Sequence, residues 1–346
     1  MTVYNPRDLD WEGWEPRLGA LCDVIREVTR AALREADERG DRSAVTGVVG
    51  RGVGDVTFGL DVPGERAIER WLRETARSEP LSVLTEDAGW RHMGPSPSGA
   101  AVELPGFDHG GPRIVLDPVD GTRNLMVDLR SAWTVVALAG PGPDEPRLCD
   151  LVGGTVAEIP TLLAAVRRTL SAPAGGECRY EEHLLADGSL RAKRVLRVDD
   201  DDRVDHGYFP FFRYKPELRP ELARLEAAFF ARLAEHEGAD VRSCYDDQYI
   251  SNAGQLVLLA LGTYRSIVDA RALVAERLGV TTVTSKPYDV AGAIVCAEAA
   301  GAVVTAADGK ELDFAIDAQT PVHFAGYANA PTRARLEPHW LATLAQ

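Results

Sequence analysis

No stretch of the 346 residues stays apolar over the ~18 positions that a membrane-crossing helix needs, so no membrane span is expected. Basic residues are in deficit. Against 53 Asp and Glu stand 38 Lys and Arg, a net charge of -15, which argues against a nucleic-acid backbone or an anionic membrane as main partner. It does not argue against a phosphorylated small molecule, because bound metal ions reverse the local field. None of the five cysteines (Cys22, Cys149, Cys178, Cys244, Cys296) forms a C-x-x-C pair, and an odd number leaves no complete disulfide framework. Reduced, structural thiols in a cytoplasmic protein are the expectation. Residues 1–8 lack the basic-then-apolar pattern of a secretory signal. No internal repeat occurs at solenoid periods.

What is present is an ordinary folded composition, 45% apolar, in a chain longer than one small core needs. Two subdomains or one large α/β unit are the prior. Apolar residues at three- and four-residue steps predict helices over 16–39, 66–77, 218–235, 251–261 and 270–278, and an Ala-rich one from Asp289. Strands are expected at 81–84, 114–116, 133–138, 151–156, 266–268 and 302–305. The glycine-rich 50–61 segment reads as flexible or hairpin-like, 95–112 as a loop, and 161–170 as a helix or an element border. From 171 to about 206 the pattern weakens. Asp199 to Asp202 read as a solvated loop, since the glycine and terminal glutamate of a calcium loop are missing. Phe209, Phe211 and Phe212 read as core, and Asp308-Gly309 as a hairpin turn.

One stretch carries chemistry. Ile114, Val115 and Leu116 form a buried strand that ends at Asp117, and Pro118 has no N–H with which to continue a ladder. Asp120 follows three residues on, so one tight turn can aim both carboxylates into one volume. Like charges that close need a cation, and oxygen donors suit Mg²⁺. Gly121 and Thr122 then enter a helix start, where free N–H groups can hold a phosphate. Three other acids read two ways from local sequence. Asp61 and Asp289 are helix caps or ligands, and Glu86-Asp87, at a strand end, is a solvated turn or a site.

Four segments, in order, resemble the inositol monophosphatase family, within the metal-dependent sugar phosphatases that include fructose-1,6-bisphosphatases. They are Gly54 to Asp61, Thr85-Glu86-Asp87, Leu116 to Leu125, and Tyr288 to Gly292 with Glu298 to Gly301. The resemblance spans roughly residues 18 to 315. It implies one Mg²⁺ on Glu86, Asp117 and the Val119 carbonyl, a second on Asp117, Asp120 and Asp289, and a third, weaker, on Glu86 and waters. Asp61 and Thr122 would orient the attacking water, with Glu86 as a catalytic partner. Asp120 and the N–H groups of Gly121 and Thr122 would bind phosphate. Candidate substrate contacts are Arg123, Ser251 and Thr282, the last standing where the family carries an inositol-binding Glu. The chain departs from the pattern at Asp87, Tyr288, Ala300 and Ile250, and in a longer 269–289 stretch.

The resemblance further implies a five-layer α-β-α-β-α sandwich and a homodimer. Residues 1–165 would carry most metal ligands, and 166–346 would supply Asp289 and much of the substrate pocket. The expected activity is Mg²⁺-dependent hydrolysis of a small polyol, sugar or cyclitol phosphate. A 3′-phosphoadenosine-type nucleotide or fructose bisphosphate is the alternative substrate, and a silent phosphate-binding scaffold the alternative of another class. Haloacid-dehalogenase chemistry, with D-x-D-G-T, fits poorly because two residues separate Asp117 from Asp120.

Overall fold

The computed structural model describes residues 9–52 and 56–346, so Val53, Gly54 and Asp55 of the first motif, and the stretch 1–8, lie outside the described residues. In chain order come α1 (Trp11–Glu38), α2 (Ser43–Thr46), β1 (Val48–Arg51), β2 (Val56–Phe58), α3 (Val62–Thr75), β3 (Leu81–Thr85), β4 (Gly89–Pro95), β5 (Ala101–Glu103), β6 (Arg113–Asp120), α4 (Thr122–Leu125), β7 (Ala132–Ala139) and β8 (Leu151–Ile159). There follow β9 (Val166–Pro173), β10 (Cys178–Leu184), β11 (Leu190–Leu196), α5 (Arg219–Glu237), α6 (Asn252–Ala260), β12 (Ser266–Asp269), α7 (Arg271–Leu278), α8 (Pro287–Ala299), β13 (Val303–Thr305), β14 (Phe324–Tyr327) and α9 (Ala330–Leu344). Among the described residues no helix is long and apolar enough to cross a membrane.

Nine strands form one sheet in the order β11-β10-β9-β8-β7-β6-β3-β4-β5, antiparallel except for the parallel β3–β6 pair. A three-stranded antiparallel sheet runs β12-β14-β13. Side chains alternate across a strand. In β6 and β7 both faces are apolar, so both are covered. Ile114, Leu116, Val136 and Leu138 face α1 and α3. Val115, Val135 and Ala137 face α6 and α8. Beyond that helix pair lies the small sheet, and α5 and α9 close its outer side through Phe211, Phe229 and Trp340. The result is the expected five-layer α-β-α-β-α sandwich.

Helix α8 lies unusually close to the large sheet. A Cβ added to Gly154 of β8 would stand 2.5 Å from the Gly292 carbonyl oxygen, and one added to Gly292 would stand 2.2 Å from that of Val136. Only two facing glycines allow that approach.

Several elements depart from expectation. Helix α1 starts at Trp11 rather than at Pro16, because Trp11 and Trp14 are buried against the sheet. The 161–170 segment is a turn followed by β9, and the weak 171–206 stretch contains β10 and β11. These strands look polar because they carry charge pairs across strands, while Cys178, Tyr180 and Leu196 enter the core. Lys193 meets Glu181 at 2.7 Å, and Glu182 meets Arg191 at 3.2 Å. The 95–112 loop includes β5. Asp308-Gly309 makes a turn, but β13 pairs with β14, which lies beyond it in sequence. Strands β1 and β2, which flank residues 53–55, pair antiparallel, in line with the hairpin-like reading of 50–61. Phe209, Phe211 and Phe212 are buried.

Candidate active site

The register of β6 against β7 slips at the site. Asp117 lies opposite Val135 and Asp120 opposite Trp133, so three steps on one strand match two on the other. This bulge falls where Pro118 cannot donate, and it re-aims the carboxylates. Val119 N–H donates to Asp117 Oδ1 at 2.8 Å. Gly121 then turns the chain with φ +98°, and a Cβ there would lie 3.0 Å from that of Ser251. The single-turn α4 follows. Its first N–H groups have no partner within the helix.

The N-terminus of α6 meets this turn. Asp120 Oδ2 accepts from Ser251 Oγ at 2.6 Å and Ala253 N at 2.7 Å, and Oδ1 accepts from Asn252 N at 3.2 Å. Ser251 also caps its own helix, accepting from Gly254 N at 2.9 Å. Asp289 enters from α8. Asp289 is the third residue of that helix rather than its N-cap, which is Lys286; its Oδ2 accepts back from Lys286 N at 2.9 Å and from Asn252 Nδ2 at 2.9 Å. Asp117, Asp120 and Asp289 are each under 10% exposed.

Asp61 stands at the N-cap position of α3, yet its side chain does not cap that helix. Oδ2 accepts from Phe58 N at 2.8 Å, and Oδ1 lies 2.7 Å from Thr122 Oγ1. Thr122 Oγ1 is also 2.7 Å from the Val119 carbonyl. Asp87 accepts from Thr57 Oγ1 at 2.6 Å, tying the β1–β2 pair to the turn that carries Glu86.

Burial and mutual repulsion set the electrostatics. Burial pushes the Asp117 carboxyl well above the ordinary range, and Asp289, Asp120 and Glu86 add to the shift in that order. Asp289 is pushed up to about 8 by burial and then by Asp120. Asp120 is raised by burial, against the pull of its Ser251, Ala253 and Asn252 donors. Asp61 reaches about 6 through burial, opposed by its bonds from Thr122 and Phe58.

The sequence-derived candidates converge. Asp61, Glu86, Asp117, Val119, Asp120, Gly121, Thr122, Arg123, Ser251 and Asp289 all line one open cleft of about 640 Å³. Thr282 does not line it; its hydroxyl bonds to Glu217. Asn252, Arg271 and Tyr214 line the cleft and were not anticipated, nor was half-buried Glu65, raised to about 8 by burial and then by Asp87 and Asp61. A polar residue just inside the α6 cap, and an Arg two places after a strand-ending Asp, were the available signals.

Comparison with known proteins then bears on the fold. A fructose-1,6-bisphosphatase of Leishmania major superposes with a TM-score of 0.62 at 12% identity, covering 94% of each chain. A protein described as an inositol monophosphatase–fructose 1,6-bisphosphatase gives 0.59 at 14%, over 97% of this chain and 100% of that one. Inositol monophosphatase II of Staphylococcus aureus gives 0.55 at 17%, over 95% and 97%. The chain has the inositol monophosphatase–fructose 1,6-bisphosphatase fold. No protein-family model matches it, and no curated protein matches significantly in sequence. Within this fold, the cleft just described lies where β6, α6 and α8 meet.

Proposed function

We propose that the chain is a Mg²⁺-dependent phosphomonoesterase acting on a small polyol, sugar or cyclitol phosphate. The observation that supports this best is the convergence of Glu86, Asp117, Asp120 and Asp289, from separate segments, in one cleft beside the Asp61–Thr122 pair. Among the described residues no group of three His, Cys, Asp or Glu side chains is already arranged to hold a metal ion. The donor chemistry nevertheless fits a hard cation. The donors are all oxygen, and beside burial Asp117 is raised by Asp289, Asp120 and Glu86, and Asp289 by Asp120. Asp120 has three bonds on about four acceptor sites, which leaves room for one more partner.

Glu86, Asp117 and the Val119 carbonyl would hold one ion, Asp117, Asp120 and Asp289 a second, and Glu86 a third. When bound, such ions lower the pKa of a coordinated water and shield a phosphoryl group in displacement. The protein's own groups do the rest. Thr122 Oγ1 carries one proton for two acceptors at 2.7 Å, so giving it to Asp61 leaves its lone pairs for the attacking water. Asp61, at about 6, is poised to take a proton near neutral pH. The Gly121 and Thr122 N–H groups would anchor the phosphate, with Arg123 at the exposed mouth. In this reading residues 1–165 carry most of the ligands, residues 166–346 supply Asp289 and the substrate wall, and the enzyme works as a homodimer.

A phosphate-release screen with Mg²⁺ tests it. The panel holds inositol phosphates, fructose 1,6-bisphosphate, adenosine 3′,5′-bisphosphate, histidinol phosphate and aminocyclitol phosphates. The wild type should release phosphate from at least one, and Asp120→Asn should lose about 100-fold or more in rate. A wild type that binds Mg²⁺ but hydrolyses none would favour the silent scaffold. Near-normal turnover in Asp120→Asn would refute the metal cluster.

A further inference from the structure

Asp269 ends β12, and Arg271 opens α7 two residues later. Both are buried, at 0% and 1% exposure. Arg271 Nε donates to Asp269 Oδ1 and Nη2 to Oδ2, each at 2.8 Å, so the guanidinium forks onto the carboxylate. Nη1 donates to the Tyr214 hydroxyl, and the guanidinium stacks near the rings of Phe212 and Tyr214 at 4.9 and 4.8 Å. Ser285 Oγ donates to Asp269 Oδ2 at 2.6 Å and lies 2.8 Å from Nη2. An ion pair this buried adds little stability over an apolar pair of the same shape. What it holds in place is the better account of it.

It holds Asn252. Arg271 Nη2 also donates to Asn252 Oδ1 at 2.9 Å, and Asn252 Nδ2 donates to Asp289 Oδ2 at 2.9 Å. An amide alone can face either way. Here one orientation works, because a guanidinium only donates and a carboxylate only accepts. The amide oxygen faces Arg271, and the NH₂ faces Asp289. The backbone N–H of the same Asn252 reaches Asp120. One residue therefore touches two of the three carboxylates assigned to the second ion.

We propose that Arg271 and Asn252 are positioning residues for a Mg²⁺ site: Arg271 fixes the amide of Asn252, and that amide aims the Asp289 carboxylate. This rests on the assignment of Asp289 as a metal ligand. The chain holds Asp289 from α6 and β12–α7 as well as from its own helix, so its aim does not depend on α8 alone.

Calorimetric titration of the full chain with Mg²⁺ tests this, without reference to turnover. The wild type is compared with Asn252→Ala, Arg271→Lys and the double variant, with a thermal melt of each to confirm folding. Asn252→Ala should weaken Mg²⁺ binding about tenfold or more, as losses of outer-shell partners do. Arg271→Lys, which cannot fork, should weaken it too. The double variant should bind no more weakly than Asn252→Ala, because the arginine acts through the amide. Affinity within twofold of wild type in folded Asn252→Ala overturns the inference, as does full additivity of the two losses. If Arg271→Lys fails to fold, Asn252→Ala decides by itself, since it leaves the Asp269–Arg271 pair intact. A wild type that takes up no Mg²⁺ overturns this inference together with the assignment beneath it.

Discussion

Removing Mg²⁺ should make the fold lose stability as pH rises. Asp289 is pushed up to about 8 by burial and then by Asp120, and Asp117 well above the ordinary range by burial and then by Asp289, Asp120 and Glu86. In the unfolded chain both titrate near ~4. Between these values the metal-free fold keeps protons that the unfolded chain has released. Stability therefore falls with pH, by about 1.4 kcal/mol per pH unit for each proton kept. One proton shared within the cluster gives about 3 kcal/mol between pH 5 and pH 7. For a chain this long that is a fall of roughly 4 °C in Tm. Bound Mg²⁺ displaces the proton, so it should abolish this loss and release at least one proton per binding event. Two other sets of groups titrate in the same window. Glu65, raised to about 8 by burial and then by Asp87 and Asp61, Glu298, raised to about 7 by burial, and Asp61, at about 6, add a slope of the same sign that comes from none of the proposed Mg²⁺ ligands. His92, His109 and His323, lowered by burial, add a slope of the opposite sign. The measurement is therefore the difference between chelator and Mg²⁺ at each pH. Melts across this range, with titrations in buffers of unlike protonation enthalpy, give both quantities. An identical pH dependence with and without Mg²⁺, and no proton release, would refute a shared cation site at these carboxylates.

Gly121→Ala should cost about 2 kcal/mol or more, since φ is +98° and the new Cβ meets Ser251 at 3.0 Å. A melt matching the wild type would show that the turn is not as described. Lithium should inhibit phosphate release by occupying a metal position, and a rate unchanged at high lithium would separate this chain from the family it resembles.

The centre of the site was legible because its signals are local. A strand, a residue without a donor and two acids three apart all fall within one turn, and the bulge at Asp117–Asp120 is what such a sequence makes. Asp289 and Asp61 became interpretable only together, because each is individually a plausible cap. Asp289 lies inside its helix and bonds back to the N-cap residue Lys286; Asp61 occupies the cap position without capping. Strands β9 to β11 were hidden because few of their residues, such as Leu170, Cys178, Tyr180 and Leu196, enter the core, and the rest carry charges paired across strands, such as Glu181 with Lys193. Arg271 was hidden for a related reason. An arginine in a sequence reads as a solvated charge, and only the fold brings Asp269, Asn252 and Tyr214 around it. Placing Thr282 by spacing alone put it on the Glu217 side of a stretch whose neighbours Val283 and Thr284 do line the cleft.

The Gly154–Gly292 contact has a consequence for how the molecule is made. Helix α8 occupies the middle layer and seats on strands more than a hundred residues earlier in the chain. Until it arrives, β7 and β8 have one apolar face exposed, and the acids of β6 lack their partner. Contacts this distant in sequence make folding slow and leave the half-built sheet prone to association. Assembly of the carboxylate cluster and burial of the sheet are thus the same late event. A ribosome-bound chain that stops short of residue 287 should be both incompetent for Mg²⁺ and a client for chaperones.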